Sequence, residues 1–262
     1  MKTDAVLCRY PCRSSHSVSS RQAFTLVELL VVVLIVGMLV ALIAPAVMQA
    51  RAKARTAAIK AEIDMLHMAM MNYKNEYGSF PPCVSGTAAT DLAAKHVARL
   101  FPRCTSGPSQ LASAFPSTAN PKTITSTNAI SYWLSGYTDD PTAPLISSGL
   151  SRKKLYDFDM SRVNQTTGAY FPSGKSSSPY LYIDSKMYTS VPYAGGSSAS
   201  AGAFRVSFAG DPTPFANTAQ AFANSDTFQI LCAGSDEIFG NDDDLSNFWP
   251  GTRKDYLDSL NQ

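Results

Sequence analysis

The sequence is poor in the residue patterns that catalysis uses. Its 262 residues include only three histidines, His16, His67 and His96, and none of them lies in an H-E-x-x-H zinc pattern. Serine is frequent, but no serine lies in a G-x-S-x-G turn. The five cysteines form no C-x-x-C pair, which disfavours a zinc ribbon. We therefore expect a protein that is not an enzyme.

Charge is also scarce, since Asp, Glu, Lys and Arg together make up 16% of the chain. From residue 61 onward there are 14 basic and 18 acidic residues, a balance of −4. A mildly acidic region without a basic face cannot neutralise a row of phosphates. We therefore expect no nucleic-acid partner, although one local patch, Arg152-Lys153-Lys154, remains.

One long apolar run lies near the start of the chain. Residues 29–48 are twenty residues without a charge, preceded by the acid Glu28. At 1.5 Å per residue they span about 30 Å, the thickness of a bilayer core. A secretory signal has a shorter run and a small-residue cleavage site after it, so this run predicts a transmembrane helix that stays in the protein. Four basic residues precede the run and four follow closely, so charge leaves its orientation open.

The helical pattern continues beyond the membrane. Apolar residues recur in steps of four and three at Ile59, Ile63, Leu66, Met70, Tyr73 and Tyr77. This spacing puts them on one helix face, and Gly78 with the following prolines predicts the end. We expect one helix over about 24–77, with its first half in lipid and its second half packed on a globular domain. Pro45 should kink or locally unwind it, and Gly37 is either a second weak point or a surface where another helix can approach.

The later sequence predicts a small antiparallel sheet. Residues 178–188, 203–210 and 227–234 have the alternation and the aromatic or β-branched composition of strands. Short helices are expected over 91–101 and 129–137, and residues 150–158 could be another helix or an irregular edge. The predicted fold class is α+β, with the outer half of the long helix packed on the sheet.

The run "AFTLVELLVVVLIVGMLVALIAPAV" resembles the N-terminal segment of type IV pilins and type II secretion pseudopilins. The resemblance rests on Phe24, the stretch Thr25-Leu26-Val27-Glu28 after it and Pro45 further along, and it is strongest over residues 23–50. It implies residues 1–23 as a cytoplasmic leader, 24–50 as a transmembrane and assembly helix, and 51–262 as a periplasmic pilin-like domain. The protein would then be a single-pass protein of the inner membrane.

The resemblance also implies a processing step and a set of partners. A prepilin peptidase would cleave before Phe24 and methylate the new amino group. Ala23 stands where the family usually has glycine, so cleavage could be slower. The subunit would assemble with itself and with other pseudopilins, on an inner-membrane platform and surrounded by lipid. The leader is long for the family, and Val18 is a second candidate for the start of translation.

Glu28 gains a specific role from this resemblance. A carboxylate at membrane depth needs a partner or must become neutral. In a filament it could pair with the terminal ammonium of Phe24 on a neighbouring subunit and so set the axial register. The alternative is an acid at the membrane boundary that is solvated by headgroups.

Residues 233–249 contain a crowded acidic turn. It resembles the C-terminal calcium loop of major pseudopilins, which implies Asp236, Asp242 and Asp244 as ligands of Ca²⁺, with backbone carbonyls completing the shell. The alternative is a solvated acidic turn. Cys83 and Cys104 flank a loop-rich stretch and could form a disulfide if that part is exported, or could be two small buried thiols.

The function expected from these features is structural. The chain is interpreted as a subunit of a type II secretion pseudopilus that supports protein export. The alternative is a minor type IV pilin that acts as a membrane-anchored module for adhesion or uptake.

Overall fold

The computed structural model describes residues 25–83, 89–104, 124–145, 151–174, 177–188 and 222–260. The chain divides into two compact units, residues 1–50 and 51–262. The leader, Ala23, Phe24 and the strand expected over 203–210 lie outside the described residues.

Helix α1 spans Leu26–Tyr77, which confirms the predicted long helix. In the first unit its described residues are all exposed, and this stretch is long and apolar enough to cross a membrane. The helix continues through Pro45 without interruption, so the local unwinding expected there is not seen. One missing backbone hydrogen bond is tolerated because the bonds on either side of it remain.

The second unit is built on the outer half of α1. Its buried stripe includes Ile59, Ile63, Leu66, Met70 and Tyr73, each at most 4% exposed, and Tyr77 is partly buried. These are the positions that the periodicity predicted. A single hydrophobic core joins this stripe to the rest of the second unit.

Three short helices accompany α1 among the described residues: α2 (Ala89–Leu100), α3 (Ala129–Leu134) and α4 (Arg253–Leu260). The first two confirm the predicted helices. Strand β1 (Tyr137–Thr138) follows α3 and pairs antiparallel with β2 (Arg152–Lys153), where the sequence left a helix or an irregular edge open. Gly136 between α3 and β1 has a positive φ of 75°, and a Cβ there would collide with the backbone of Lys153.

The main sheet has the order β3-β4-β5. Strands β3 (Leu181–Asp184) and β4 (Phe228–Cys232) fall inside two of the predicted strands and pair antiparallel, with Tyr182 opposite Ile230. Strand β5 (Leu245–Ser246) pairs antiparallel with β4 inside the segment that the sequence predicted as a turn. Two residues carry too little periodicity to reveal a strand, so this edge depends on tertiary contacts. The fold is the predicted α+β arrangement.

The segment after α1 is held by side chains that donate to its carbonyls. The Trp133 indole donates to the carbonyl of Pro82 at 2.9 Å, and the Tyr182 hydroxyl donates to that of Pro81 at 2.8 Å. Proline has no amide to give to a ladder, so these carbonyls find partners in the core instead. The exit of the chain from α1 is thereby fixed against α3 and β3.

Candidate assembly and processing site

Glu28 closes the N-terminal turn of α1 together with Thr25. One oxygen of its carboxylate, Oε2, accepts hydrogen bonds from the Thr25 amide and from the Thr25 hydroxyl, both at 2.9 Å. The Glu28 amide in turn donates to the Thr25 hydroxyl oxygen at 3.2 Å. This reciprocal pair is a capping box, which satisfies amides that a helix otherwise leaves free at its start. The carboxylate of Glu28 therefore has a structural role within its own chain, in addition to the role in assembly that the sequence predicts.

The capping box could have been found in the sequence, because Thr25-Leu26-Val27-Glu28 matches the T-x-x-E signature. The other carboxylate oxygen, Oε1, accepts no hydrogen bond from the described residues. Glu28 is fully exposed within the chain. One oxygen thus remains for an outside donor.

Gly37 and Pro45 both lie in the exposed part of α1. A Cβ built on Gly37 would meet no atom within 4 Å. Packing inside the chain therefore gives no reason for a glycine there, and approach of another helix stays the prediction. The processing residues Ala23 and Phe24 are not described, so the structure says nothing of the cleaved bond.

The acidic turn does not bring the predicted calcium ligands together. Asp236 accepts hydrogen bonds from the Ile238 amide at 2.9 Å and from the side chain of Asn241. Asp242 Oδ1 lies 3.9 Å from Arg253, and Asp244 Oδ2 accepts from the Gly240 amide at 2.7 Å.

Within the part of the chain that the structure describes, no group of three His, Cys, Asp or Glu side chains could hold a metal ion. Asp236 and Asp244 each accept a hydrogen bond within the turn, and Asp242 lies near Arg253 of α4. The Oδ1 atom of the neighbouring Asp243 is buried and accepts no hydrogen bond from the described residues. Calcium binding stays a prediction.

Two other acids of this turn, Asp243 and Glu237, have structural roles that the sequence did not predict. Asp243 Oδ2 accepts from the Ser235 amide at 2.5 Å and from the Ser235 hydroxyl at 2.8 Å. A Cβ on Gly234 would collide with this carboxylate, so the close approach requires glycine. Glu237 accepts from the Ser177 amide at 3.0 Å, which ties the turn to the segment before β3.

The two cysteines suggested as a disulfide are free thiols in the structure. Cys83 is fully buried, and its Sγ accepts a hydrogen bond from the Asp184 amide at 3.2 Å. Burial raises the pKa of the Cys83 thiol to about 12. The disulfide is therefore not part of this structure, and the alternative of separate thiols describes Cys83.

A buried carboxylate on the outer half of α1 was not found by sequence reasoning. Glu62 is 8% exposed, and its Oε2 accepts from Arg162 at 2.6 Å and from the Tyr180 hydroxyl at 2.5 Å. Its Oε1 accepts from the Tyr170 hydroxyl at 2.7 Å. The signal available in the sequence was a single acid between apolar positions of the helix. Its three partners could not be predicted, because they lie at least 100 residues further along the chain.

The histidines and the basic patch have structural roles in the second unit. His96, 8% exposed, contacts the Tyr73 hydroxyl through Nε2 at 2.9 Å, and burial lowers its pKa to about 4. His67 Nδ1 lies 2.9 Å from the side-chain nitrogen of Asn247, and its ring packs on Phe228. The patch at 152–154 is dispersed, since Lys153 pairs with Glu76, Lys154 pairs with Asp157 and Arg152 donates to a backbone carbonyl.

Comparison with known proteins adds one finding. Residues 18–44 match the family described as the prokaryotic N-terminal methylation motif. No curated protein and no solved structure matches the chain. The match covers the start of α1 with its capping box and the residues before it.

The chain therefore carries the prepilin-type N-terminal signal of type IV pilins and pseudopilins. A long apolar N-terminal helix followed by small antiparallel sheets is consistent with a pilin-like fold. The motif implies processing by a prepilin peptidase and assembly of the pilus type, and the apolar helix fits a single-pass anchor in the inner membrane.

Proposed function

We propose that this chain is a structural subunit of a type II secretion pseudopilus. It is cleaved before Phe24, N-methylated on the new terminus and assembled through α1 to support protein export. The methylation motif at 18–44 supports the processing and the assembly of the pilus type, and the assignment to a secretion machine is the part that we add to it. The second unit lies in the periplasm in this proposal, and the protein has no catalytic activity of its own.

The geometry at Glu28 supports assembly through the helix N-terminus. Its Oε2 is used by Thr25, while Oε1 accepts no hydrogen bond from the described residues. After cleavage, the ammonium of Phe24 on a neighbouring subunit would find a partly satisfied carboxylate at the same membrane depth. In a medium of low dielectric their attraction is strong enough to select one axial register.

Mass spectrometry of the mature N-terminus tests the processing step. We expect a chain that begins at N-methyl-Phe24 in cells with an active prepilin peptidase and the unprocessed precursor in cells that lack it. Ala23→Gly is the matched control and should be processed at least as fast. A mature chain that keeps residues 18–23 would contradict the proposal.

The kind of machine needs a second experiment. Deletion of the gene should abolish export of secreted proteins and leave surface pili unchanged, and the protein should cross-link to itself along α1. Loss of adhesion or uptake, with export intact and few copies per cell, would instead indicate the minor type IV pilin.

A further inference from the structure

We propose that three basic residues of α1, Arg51, Lys53 and Arg55, form a belt that binds the anionic headgroups of the membrane that the helix spans. Together these residues are the basic belt. All three are exposed, and they follow directly on the charge-free run of the helix. The proposal rests on α1 crossing a bilayer, and it holds for a secretion pseudopilus and for a pilus alike.

The position of the basic belt along α1 matches the headgroup layer. Residues 29–50 carry no charge, and at 1.5 Å per residue they span about 33 Å. The hydrocarbon core of a bilayer is about 30 Å thick, so the residue that follows this run lies among the headgroups. Long basic side chains can lay their stems along apolar surface and place their charges at the phosphates.

The chain itself does not neutralise the basic belt. The sequence has no acid between Glu28 and Glu62, so no carboxylate lies three or four residues from Arg51, Lys53 or Arg55. Pairs at that spacing are the ones that a helix can form along its own surface. Within the described ranges, no ion pair involves a residue of the belt. Its three charges are therefore available to a partner outside the chain.

The later basic residues of α1 differ from the belt, because they have partners in the second unit. Lys60 pairs with Asp64 at 3.0 Å and donates to the carbonyl of Ser246 at 2.8 Å. Lys74 lies over the ring of Phe80, 4.6 Å from its centroid. The basic residues near the apolar run are thus the ones without an internal partner.

The arrangement of the belt around the helix favours a headgroup layer over a protein partner. At about 100° per residue, Arg51 and Arg55 lie about 40° apart, while Lys53 lies about 160° from each of them. A protein that docks on one face of α1 would meet only part of this set. A layer of headgroups surrounds the helix and meets all three charges, and anionic lipids attract basic residues that border a transmembrane segment.

Native mass spectrometry of the full-length protein, released from detergent micelles and titrated with lipid, tests this proposal. We expect phosphatidylglycerol, which is anionic, to bind at least tenfold more tightly than phosphatidylcholine, which carries no net charge. The triple variant Arg51→Gln, Lys53→Gln and Arg55→Gln should lower the affinity for phosphatidylglycerol at least fivefold and leave that for phosphatidylcholine unchanged.

The matched control removes three exposed charges elsewhere in the second unit, with Lys74→Gln, Lys95→Gln and Arg99→Gln. Its affinity for phosphatidylglycerol should stay within twofold of the wild type. Equal losses in the two triple variants would overturn the proposal, because net charge alone would then explain the binding. Release of bound phosphatidylglycerol by millimolar inorganic phosphate would also overturn it and assign the belt to free phosphate.

A second variant guards against a folding defect in the first. Arg51→Lys combined with Arg55→Lys keeps every charge, so it should bind phosphatidylglycerol like the wild type. A fivefold loss in this variant would refute a belt that acts through charge. The same spectra give the mass of the chain, so cleavage before Phe24 is read separately. Failure of the belt and failure of the proposed function are therefore distinct results.

Discussion

Glu62, which is buried, and Arg162, which is partly buried, form an ion pair that ties the outer half of α1 to the segment before β3, with 2.6 Å between Oε2 and Nη2. The Arg162 guanidinium also lies over the ring of Tyr170 at 4.7 Å and donates from Nε to the carbonyl of Phe171 at 2.9 Å. Tyr170 and Tyr180 donate to the same carboxylate. Donors from Arg162, Tyr170 and Tyr180 thus converge on one carboxylate.

Loss of the Glu62 charge should destabilise the second unit strongly. Glu62→Gln leaves the partly buried Arg162 without its counter-charge and replaces an oxygen acceptor by a donor that faces hydroxyl donors. Removing one partner of a buried pair costs about 3–5 kcal/mol, and we expect a loss of free energy of unfolding near the lower end. Denaturant unfolding of the full chain in detergent measures it.

Glu76→Gln is the matched control for that prediction. Glu76 lies on the same helix and pairs with Lys153 at 2.7 Å, close to the 2.6 Å between Glu62 and Arg162. The Lys153 side chain, however, is 63% exposed. A solvent-exposed pair contributes about 1 kcal/mol or less. Equal destabilisation by the two variants would show that burial of Glu62 carries no extra energy.

Glu28→Ala should leave processing and membrane insertion largely intact but block assembly. Thr25→Ala separates the two roles of the carboxylate, because it removes the capping partner and keeps the charge. If Glu28 sets the register, Thr25→Ala subunits still assemble, at the cost of a cap worth about 1 kcal/mol. Immunoblots of sheared filaments and of membranes provide both readouts. Normal filaments from Glu28→Ala would refute the register role. Equal assembly defects in the two variants would indicate that Glu28 acts only as part of the helix cap.

Asp184 should make the second unit less stable as the pH rises. It is 4% exposed, and burial raises its pKa from 3.8 to about 6. The folded chain therefore holds a proton that the unfolded chain has lost between about pH 4 and 6, so this group's contribution to stability falls through that window. Asp184→Asn resembles the protonated acid and should gain up to about 3 kcal/mol over the wild type at pH 7, and little at pH 4. Melting curves at several pH values test this, and a constant difference between the two proteins would contradict it.

His96 should act in the opposite direction. Burial lowers its pKa from 6.5 to about 4, with Arg99 and Lys186 adding to the shift. Between these pH values the unfolded chain binds a proton that the folded chain excludes, so stability falls as the pH drops from 7 towards 4, by up to about 3 kcal/mol. His96→Gln keeps a polar partner for Tyr73 and does not titrate, so its profile should lack this loss. A wild-type and a variant profile that run parallel from pH 7 to 4 would contradict the prediction.

Much of the N-terminal half follows from local sequence. A run of uncharged apolar residues, the stripe from Ile59 to Tyr73 and the T-x-x-E signature at Thr25 each depend on neighbours within a few residues. Helix contacts recur every three or four positions, so the bounds of α1 and its buried face could be predicted from the order of residues alone. The two longer strands β3 and β4 were found in the same way, from short stretches rich in aromatic and β-branched residues.

The tertiary structure decided what the acids do. Glu62, Asp243 and Asp244 look alike in sequence, as charges that solvent or a metal could satisfy, because their partners Arg162, Ser235 and Gly240 are not marked by any period. Strand β5 is two residues long and exists because Lys60, β4 and α4 hold it. Local periodicity determined which face of the long helix is buried, and long-range hydrogen bonding determined which charges could be buried with it.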